Sequence, residues 1–326
     1  MKVSERVLEA FAVGDAMGMV TEFMTRRQIE DSFGFVDDLL EPKYSVIHQS
    51  LNRGQITDDT EQVIYLIQEY HKRRDFSQET VKSALIKWFD ECDPSEKGYI
   101  GPSTKKAIEC FRNNESFKPA GTTSGAPMRV LAPVLCNIDR NEKTLVQAIV
   151  DCVIPTHDTS LAIESSLALG LAYYYASKGA GVDEIIGAAI NGGEIGTSLS
   201  KREFVGPSIS ERLKFVRTLS DTVSKGDYLK QLYYVFGTTM EAVDVAGAAI
   251  AIGAYCREDV WLSICMGASI GGDTDTIAAI SGALSSFQAS VNNIPGRIVR
   301  TVRRVNNLDL KSFANLVEEM NTGRND

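Results

Sequence analysis

The sequence predicts an all-α protein. Apolar residues recur at helical spacing along most of the chain. No sustained apolar–polar alternation marks a strand, and Asn-Gly turns are few. Several periodic stretches are also rich in Ala and Gly, small residues that let helices approach closely in the centre of a helical domain.

The elements follow in order. Val7, Leu8, Phe11 and Ala12 mark a first helix. Residues 34 to 55 are poorly periodic and contain Gly34, Pro42 and Gly54, which suits a long surface loop. Val63, Ile64, Leu66 and Ile67 define the next helix, and Val81, Ala84, Leu85 and Trp88 another. Further helices are expected over 161–176, 182–190, 209–223, 245–255 and 277–289. No repeat, linker or low-complexity stretch divides the chain. One compact domain over residues 1–326 is the expectation.

Composition narrows the function. Of 326 residues, 44% are apolar and 24% charged, as in a globular chain and unlike a disordered one. The net charge of −9 repels phosphate backbones, so no nucleic-acid partner is expected. The basic runs Lys72-Arg73-Arg74 and Arg303-Arg304 lie at helix ends, where cations complement the dipole. The most apolar stretch, 246–256, is too short to span a bilayer and is bounded by Asp244 and Arg257. No membrane partner is therefore expected. Glu5 and the lack of a cleavage-type site argue against a signal peptide. Six cysteines, at 92, 110, 136, 152, 256 and 265, form no C-x-x-C pair. They read as core thiols of a cytoplasmic protein.

Two segments stand apart. One is Gly54-Gln55-Ile56-Thr57-Asp58-Asp59-Thr60-Glu61; the other is Gly271-Gly272-Asp273-Thr274-Asp275-Thr276. Each is a glycine-flanked turn entering a helix, with two carboxylates and threonine hydroxyls close together. Helix capping explains part of this: Asp58 and Glu61 have capping-box-like spacing, and Asp273 or Thr274 suits a cap. A cap, however, needs one acceptor. The surplus carboxylates would repel one another unless cations neutralise them. Four aspartates match two divalent ions in charge. The oxygen donors, including Thr57 and Thr276, suit Mg²⁺ or Mn²⁺, and the absence of His and Cys within either segment disfavours zinc. A binuclear metal site joining two distant helix starts is the physical expectation.

A wider set of motifs occurs in order: Gly14-Asp15-Ala16, Gly18, Glu22-Phe23, Thr57-Asp58-Asp59-Thr60, Ser124-Gly125-Ala126, Met128-Arg129, Thr156-His157 and Gly272-Asp273-Thr274-Asp275-Thr276. The chain thereby resembles the ADP-ribosylglycohydrolase family, which includes dinitrogenase reductase-activating glycohydrolase, over about residues 5 to 290. The resemblance implies an orthogonal all-helical fold with two Mg²⁺ or Mn²⁺ ions. It assigns Thr57, Asp58, Asp59, Asp273, Asp275 and Thr276 to the metals. It places Glu22 at the family's acidic position on the first helix, to gate the metal site, orient the ribose hydroxyls or act as catalytic acid/base. Asp59 is a second catalytic candidate, and Asp15 is expected to brace the turn after Gly14. Substrate contacts are implied at Gly101, Gly121, Ser124, Gly125, Met128, His157 and Gly272. His48 and His71 have no such context.

This chain has Ser124-Gly125-Ala126-Pro127-Met128-Arg129 where relatives often have Asn-Gly-Ala-Ala-Met-Arg, and Asp244 where a proline commonly follows valine. The activity implied is hydrolysis at C1 of an ADP-linked ribose on a protein or small molecule. Two other readings remain: the same chemistry on a free nucleoside or nucleotide, and a catalytically silent ADP-ribose-binding regulator.

Overall fold

The structure is a computed structural model, described over residues 1–219 and 223–322. Among the described residues it contains seventeen α-helices. The first half holds α1 (Val3–Gly18), α2 (Arg26–Phe33), α3 (Asp58–Arg73), α4 (Gln78–Cys92), α5 (Pro94–Lys97), α6 (Pro102–Arg112), α7 (Leu131–Cys136) and α8 (Glu142–Val153). The second holds α9 (Ser160–Ser177), α10 (Val182–Leu199), α11 (Ile209–Val216), α12 (Lys225–Gln231), α13 (Ala242–Cys256), α14 (Val260–Ile270), α15 (Thr274–Gln288), α16 (Gly296–Val305) and α17 (Leu310–Thr322). A single antiparallel bridge, Thr123 to Glu241, is the β-type pairing recorded among the described residues. The all-α expectation holds.

The central helices are apolar on nearly every face. Most of α9, α13 and α15 is buried, which is what a helix without a polar side requires. Small residues set their spacing. Helices α1 and α15 pack along their length, and a methyl group at Gly14 or Gly18 would overlap the backbone of Ala278 or Thr274. That close approach puts the end of α1 against the start of α15. Larger side chains fill the rest of the core: Phe11, Trp88, Tyr70 and Tyr173 are buried.

The expected helix over 182–190 continues to Leu199, through Gly192, Gly193 and Gly196, because these glycines pack against Leu167, Ser210 and Glu164. The expected helix over 209–223 stops at Val216, and Ser220 to Thr222 lie outside the described residues. Residues 34–55 contain only the 3₁₀ turn Pro42–Tyr44, but they are not wholly at the surface. Val36, Leu39, Ser45, His48 and Leu51 are buried. Val36 and Leu39 join an apolar cluster with Val260, Ile264 and Ile298, and the Val36 N–H donates to Ser269 Oγ at 2.9 Å. Irregular apolar residues dock there without any helical period to announce it.

Among the described residues no helix is long and apolar enough to cross a membrane. All six cysteines are free, and Cys136, Cys152, Cys256 and Cys265 are buried.

Candidate active site

The two acidic segments start α3 and α15, and the fold brings these starts together. At neither start does the cap residue itself make a side-chain capping bond, although Asp275 Oδ1 accepts from Thr276 N at 2.9 Å. Thr57 occupies the cap position of α3 and makes no capping bond with its side chain. The cap comes from another helix. Asp15, buried on α1, accepts from Thr57 N at 2.9 Å and from Thr60 N at 3.1 Å. It also accepts from the hydroxyls of Thr57 at 2.9 Å and Thr60 at 2.6 Å. Asp15 therefore braces the start of α3, not the turn after Gly14. Glu61 does not complete a capping box either. Its carboxylate accepts from Trp88 Nε1 at 2.8 Å and Tyr99 OH at 2.8 Å, and pairs with Lys97 at 3.3 Å.

Asp273 occupies the cap position of α15 and likewise makes no capping bond with its side chain. Backbone contacts hold this start. Asp273 N donates to Thr238 O at 2.9 Å, and Phe23 N donates to Gly272 O at 2.8 Å. Thr274 Oγ1 donates to Gly18 O at 2.9 Å. Gly271 and Gly272 both have φ of +91°, and a side chain at Gly272 would overlap the Thr238 carbonyl.

Asp58, Asp59, Asp273, Asp275 and Thr276 line one narrow cavity of about 60 Å³, together with Glu22. Thr57 lies beside them: its hydroxyl is 3.4 Å from Asp59 Oδ2 and 3.5 Å from Asp275 Oδ2. Thr276 Oγ1 is 3.3 Å from the same Asp59 oxygen. Asp59 Oδ1 is buried without a hydrogen-bond partner.

This concentration of carboxylates resists ionisation. Burial pushes Asp58, Asp59 and Asp275 well above the usual carboxylate range, and neighbouring carboxylates add to it: Glu22 for Asp58 and Asp275, Asp15 for Asp59. Burial also raises Asp273, to about 6, with Glu22 adding to the shift and hydrogen bonds from Thr276 and Ser124 opposing it. Asp15 also rises to about 6 through burial, opposed by its bonds from Thr57 and Thr60. A divalent cation reverses the sign of this field. The oxygen-rich donor set and the unpartnered Asp59 oxygen fit such an ion.

Glu22 follows α1 and stands at the cavity wall. Its Oε2 lies 2.5 Å from Nε2 of His48, which is fully buried. Glu22, His48 and Asp275 each offer a ligand atom within 4.8 Å of the others. Sequence reasoning missed His48, which sits in the aperiodic 34–55 loop where no spacing relates it to Glu22.

The remaining predicted residues divide in two. Gly101, Ser124, Gly125 and Met128 line the cavity, as do Tyr99, Ser103 and Thr104. Gly121, His157 and Gly272 do not. His157 is buried behind the wall, where its ring lies against Gly121 and Gly125. Its Nδ1 meets Thr156 Oγ1 at 2.7 Å and its Nε2 meets Thr123 Oγ1 at 3.2 Å. Burial and the nearby Arg129 cation push its pKa well below the usual imidazole value. Arg129 is itself buried, donating to the hydroxyls of Thr156 and Thr104.

Gly272 lines a second, larger cleft of about 640 Å³ beside the first. Phe23, Tyr233 and Tyr234 face this cleft, and Thr123, Met240 and Asp273 are shared with the narrow cavity. Asp244 holds the Thr239 turn, which lines the wider cleft. It pairs with Arg212 and accepts from Thr239 N at 3.2 Å and Thr239 Oγ1 at 2.7 Å.

The family described as ADP-ribosylglycohydrolase matches residues 2–326, and the chain belongs to it. Two relatives and one solved structure give the range of similarity. The uncharacterized protein YegU of Escherichia coli (strain K12) is 28% identical over 95% of this chain and 96% of that protein. ADP-ribosylarginine hydrolase Tri1 of Pseudomonas putida (strain GB-1) is 21% identical over 90% of this chain and 72% of that protein. A solved ADP-ribosylglycohydrolase-related protein complex aligns with a TM-score of 0.69 at 22% identity, covering 98% of this chain and 99% of that one. The last likeness establishes the fold.

Proposed function

We propose that this chain, acting as one domain over residues 1–326, hydrolyses the glycosidic bond at C1 of an ADP-linked ribose. The ribose is carried by a protein side chain or by a small molecule. The reading rests on one observation above all: the carboxylates of two distant helix starts face one narrow cavity. Two Mg²⁺ or Mn²⁺ ions fit there, held by Thr57, Asp58, Asp59, Asp273, Asp275 and Thr276. When bound, such ions supply positive charge for the ribose diol and lower the pKa of water.

The chain's own residues do the rest. Glu22, at the cavity wall, orients the ribose hydroxyls and takes the proton from the attacking water. Asp59 is the second carboxylate able to accept it. Ribosyl transfer passes through an oxocarbenium-like state, and the surrounding carboxylates stabilise its positive charge. Gly101, Ser124, Gly125 and Met128 wall the ribose pocket. His157 works from behind by fixing Gly121 and Gly125. Gly272 walls the wider cleft beside this cavity.

The aromatic cleft favours an ADP-linked substrate over a free nucleoside. The narrow cavity suits a ribose diol, and about 640 Å³ beside it, faced by Phe23, Tyr233 and Tyr234, leaves room for a nucleotide. Retention of all four metal aspartates argues against a silent binding protein.

The test is a product screen with metal-loaded protein on arginine-, serine- and small-molecule ADP-ribosides beside simple nucleosides. Release of ADP-ribose, lost on chelation and restored by Mg²⁺ or Mn²⁺, supports the reading. Cleavage of nucleosides alone, or full activity in rigorously metal-free protein, refutes it. Glu22→Gln should lower single-turnover rates by roughly 10²–10⁴-fold, the range for a positioned acid/base.

A further inference from the structure

We infer that His48 is an imidazole ligand, with Asp275, to one divalent cation beside Glu22, which makes that position prefer a transition-metal ion such as Mn²⁺ over Mg²⁺. The inference rests on the proposed cation site and adds a nitrogen donor to it. Ligand atoms of the three residues lie within 4.8 Å of one another. Donors about 2.0–2.2 Å from a shared ion stand roughly 3 to 4.4 Å apart, so small side-chain shifts suffice.

The fold presents this ring deliberately to the acidic cavity. Ser45 Oγ accepts from the N–H groups of Ile47 at 3.3 Å and His48 at 3.0 Å, and Leu51 N donates to the His48 carbonyl at 3.1 Å. Within that turn Val46 and Ile47 face solvent while His48 is fully buried. Its Nε2 lies 2.5 Å from Glu22 Oε2, and its Nδ1 has no hydrogen-bond partner. Glu22 is therefore the one side chain engaging the ring among the described residues. The neighbouring Asp59 Oδ1 is also buried and unpartnered. A cation held at the ring nitrogen would take the place of its hydrogen bond to Glu22.

Imidazole suits Mn²⁺ and the later divalent metals, whereas Mg²⁺ favours oxygen and retained water. An all-carboxylate site would not discriminate in this way. Chain position hides the feature, because His48 lies outside both acidic segments.

The experiment uses Mn²⁺ alone, with no substrate. Pulsed electron-spin-echo spectroscopy on Mn²⁺-loaded protein reads nitrogen bound directly to the ion. The expected result is ¹⁴N coupling that becomes ¹⁵N coupling when histidine is ¹⁵N-labelled and disappears in His48→Gln. Gln retains an N–H for Glu22 but lacks the imidazole donor. Mn²⁺ affinity at one position should also fall on the order of tenfold or more, with Mg²⁺ affinity much less changed. Melting in chelator checks that the variant folds. Loaded parent protein without histidine coupling overturns the inference whether or not the variant folds, and leaves the proposed reaction standing. Parent protein that binds no Mn²⁺ overturns both.

Discussion

The two helix starts that build the acidic cavity are held by different means. The start of α3 hangs on one buried carboxylate, Asp15, which receives four N–H and O–H donors from Thr57 and Thr60. The start of α15 is held mainly by backbone carbonyls and neutral hydroxyls, namely Thr238 O, Gly18 O and the Thr21–Thr274 pair, with Asp275 Oδ1 accepting from Thr276 N at 2.9 Å. The same product, a helix start whose aspartates face the cavity, comes from a charged brace on one side and a mainly neutral one on the other. The charged brace is concentrated and sensitive to protonation. The neutral brace is distributed.

Removing the concentrated brace should do the most damage. Asp15→Ala strands buried donors of Thr57 and Thr60, each costing about 1–3 kcal/mol when unpaired. The expected loss is about 3 kcal/mol or more, read as a lower urea midpoint at unchanged slope. A loss below about 1 kcal/mol would show that solvent or a neighbouring group replaces the carboxylate.

Asp275→Asn tests the other start through the ion it is proposed to hold. Asn keeps the size of the residue and suits a helix first turn, so folding in chelator should change little. Divalent-ion affinity should fall on the order of ten- to a hundredfold, by calorimetric titration. Two ions bound as tightly as in the parent would remove Asp275 from the ligand set.

The pH response separates the braces further. Asp15 and Asp273 rise to about 6 in the folded protein. An unfolded carboxylate titrates near about 3.9, so the folded state binds more protons in between. Their stabilising contribution is full below that lower value and is lost as pH rises through about 6. Metal-free protein should therefore melt several degrees lower at pH 7.5 than at pH 5.5. His157, held well below the usual imidazole value, opposes this slope inside the window, but it is one group against the five raised carboxylates Asp15, Asp58, Asp59, Asp273 and Asp275; Asp38, Glu69 and Asp75 contribute a constant amount across it. Saturating Mn²⁺ should remove or reverse the slope, because ligand deprotonation favours the ion. Equal slopes with and without metal would mean that the acidic cluster does not bind it.

How much of this was legible in the sequence depends on distance along the chain. Asp58-Asp59 and Asp273-x-Asp275 were readable because each pair is local and each precedes an apolar period. Helices α9, α13 and α15 were readable for the same reason. Asp15 was visible as a motif residue, but its partners lie 42 and 45 positions away, so its brace was assigned to the wrong turn. His48 was invisible: it lies 26 positions from Glu22 in a segment with no period, placed by docking onto other elements. His157 followed its motif, yet its neighbours turn it toward Gly121 and Gly125 behind the wall. Local patterns report what a segment repeats; they do not report which distant surface receives it.

Thr274→Val should have the smallest effect, and the reason is redundancy. The substitution keeps the buried shape and deletes one hydroxyl. That hydroxyl donates to Gly18 O at 2.9 Å and meets Thr21 Oγ1 at 3.0 Å. Both partners have other bonds. Gly18 O also accepts from Thr21 N at 2.9 Å, and Thr21 Oγ1 donates to Ala268 O at 2.7 Å. No partner is left stranded, so the cost should stay near that of one net hydrogen bond, about 1 kcal/mol or less. Thr274→Ser offers the complementary loss, a methyl group worth roughly 0.8 kcal/mol by burial. If Thr274→Val instead costs as much as Asp15→Ala, the α15 start also depends on a single group. The neutral brace would then be as concentrated as the charged one.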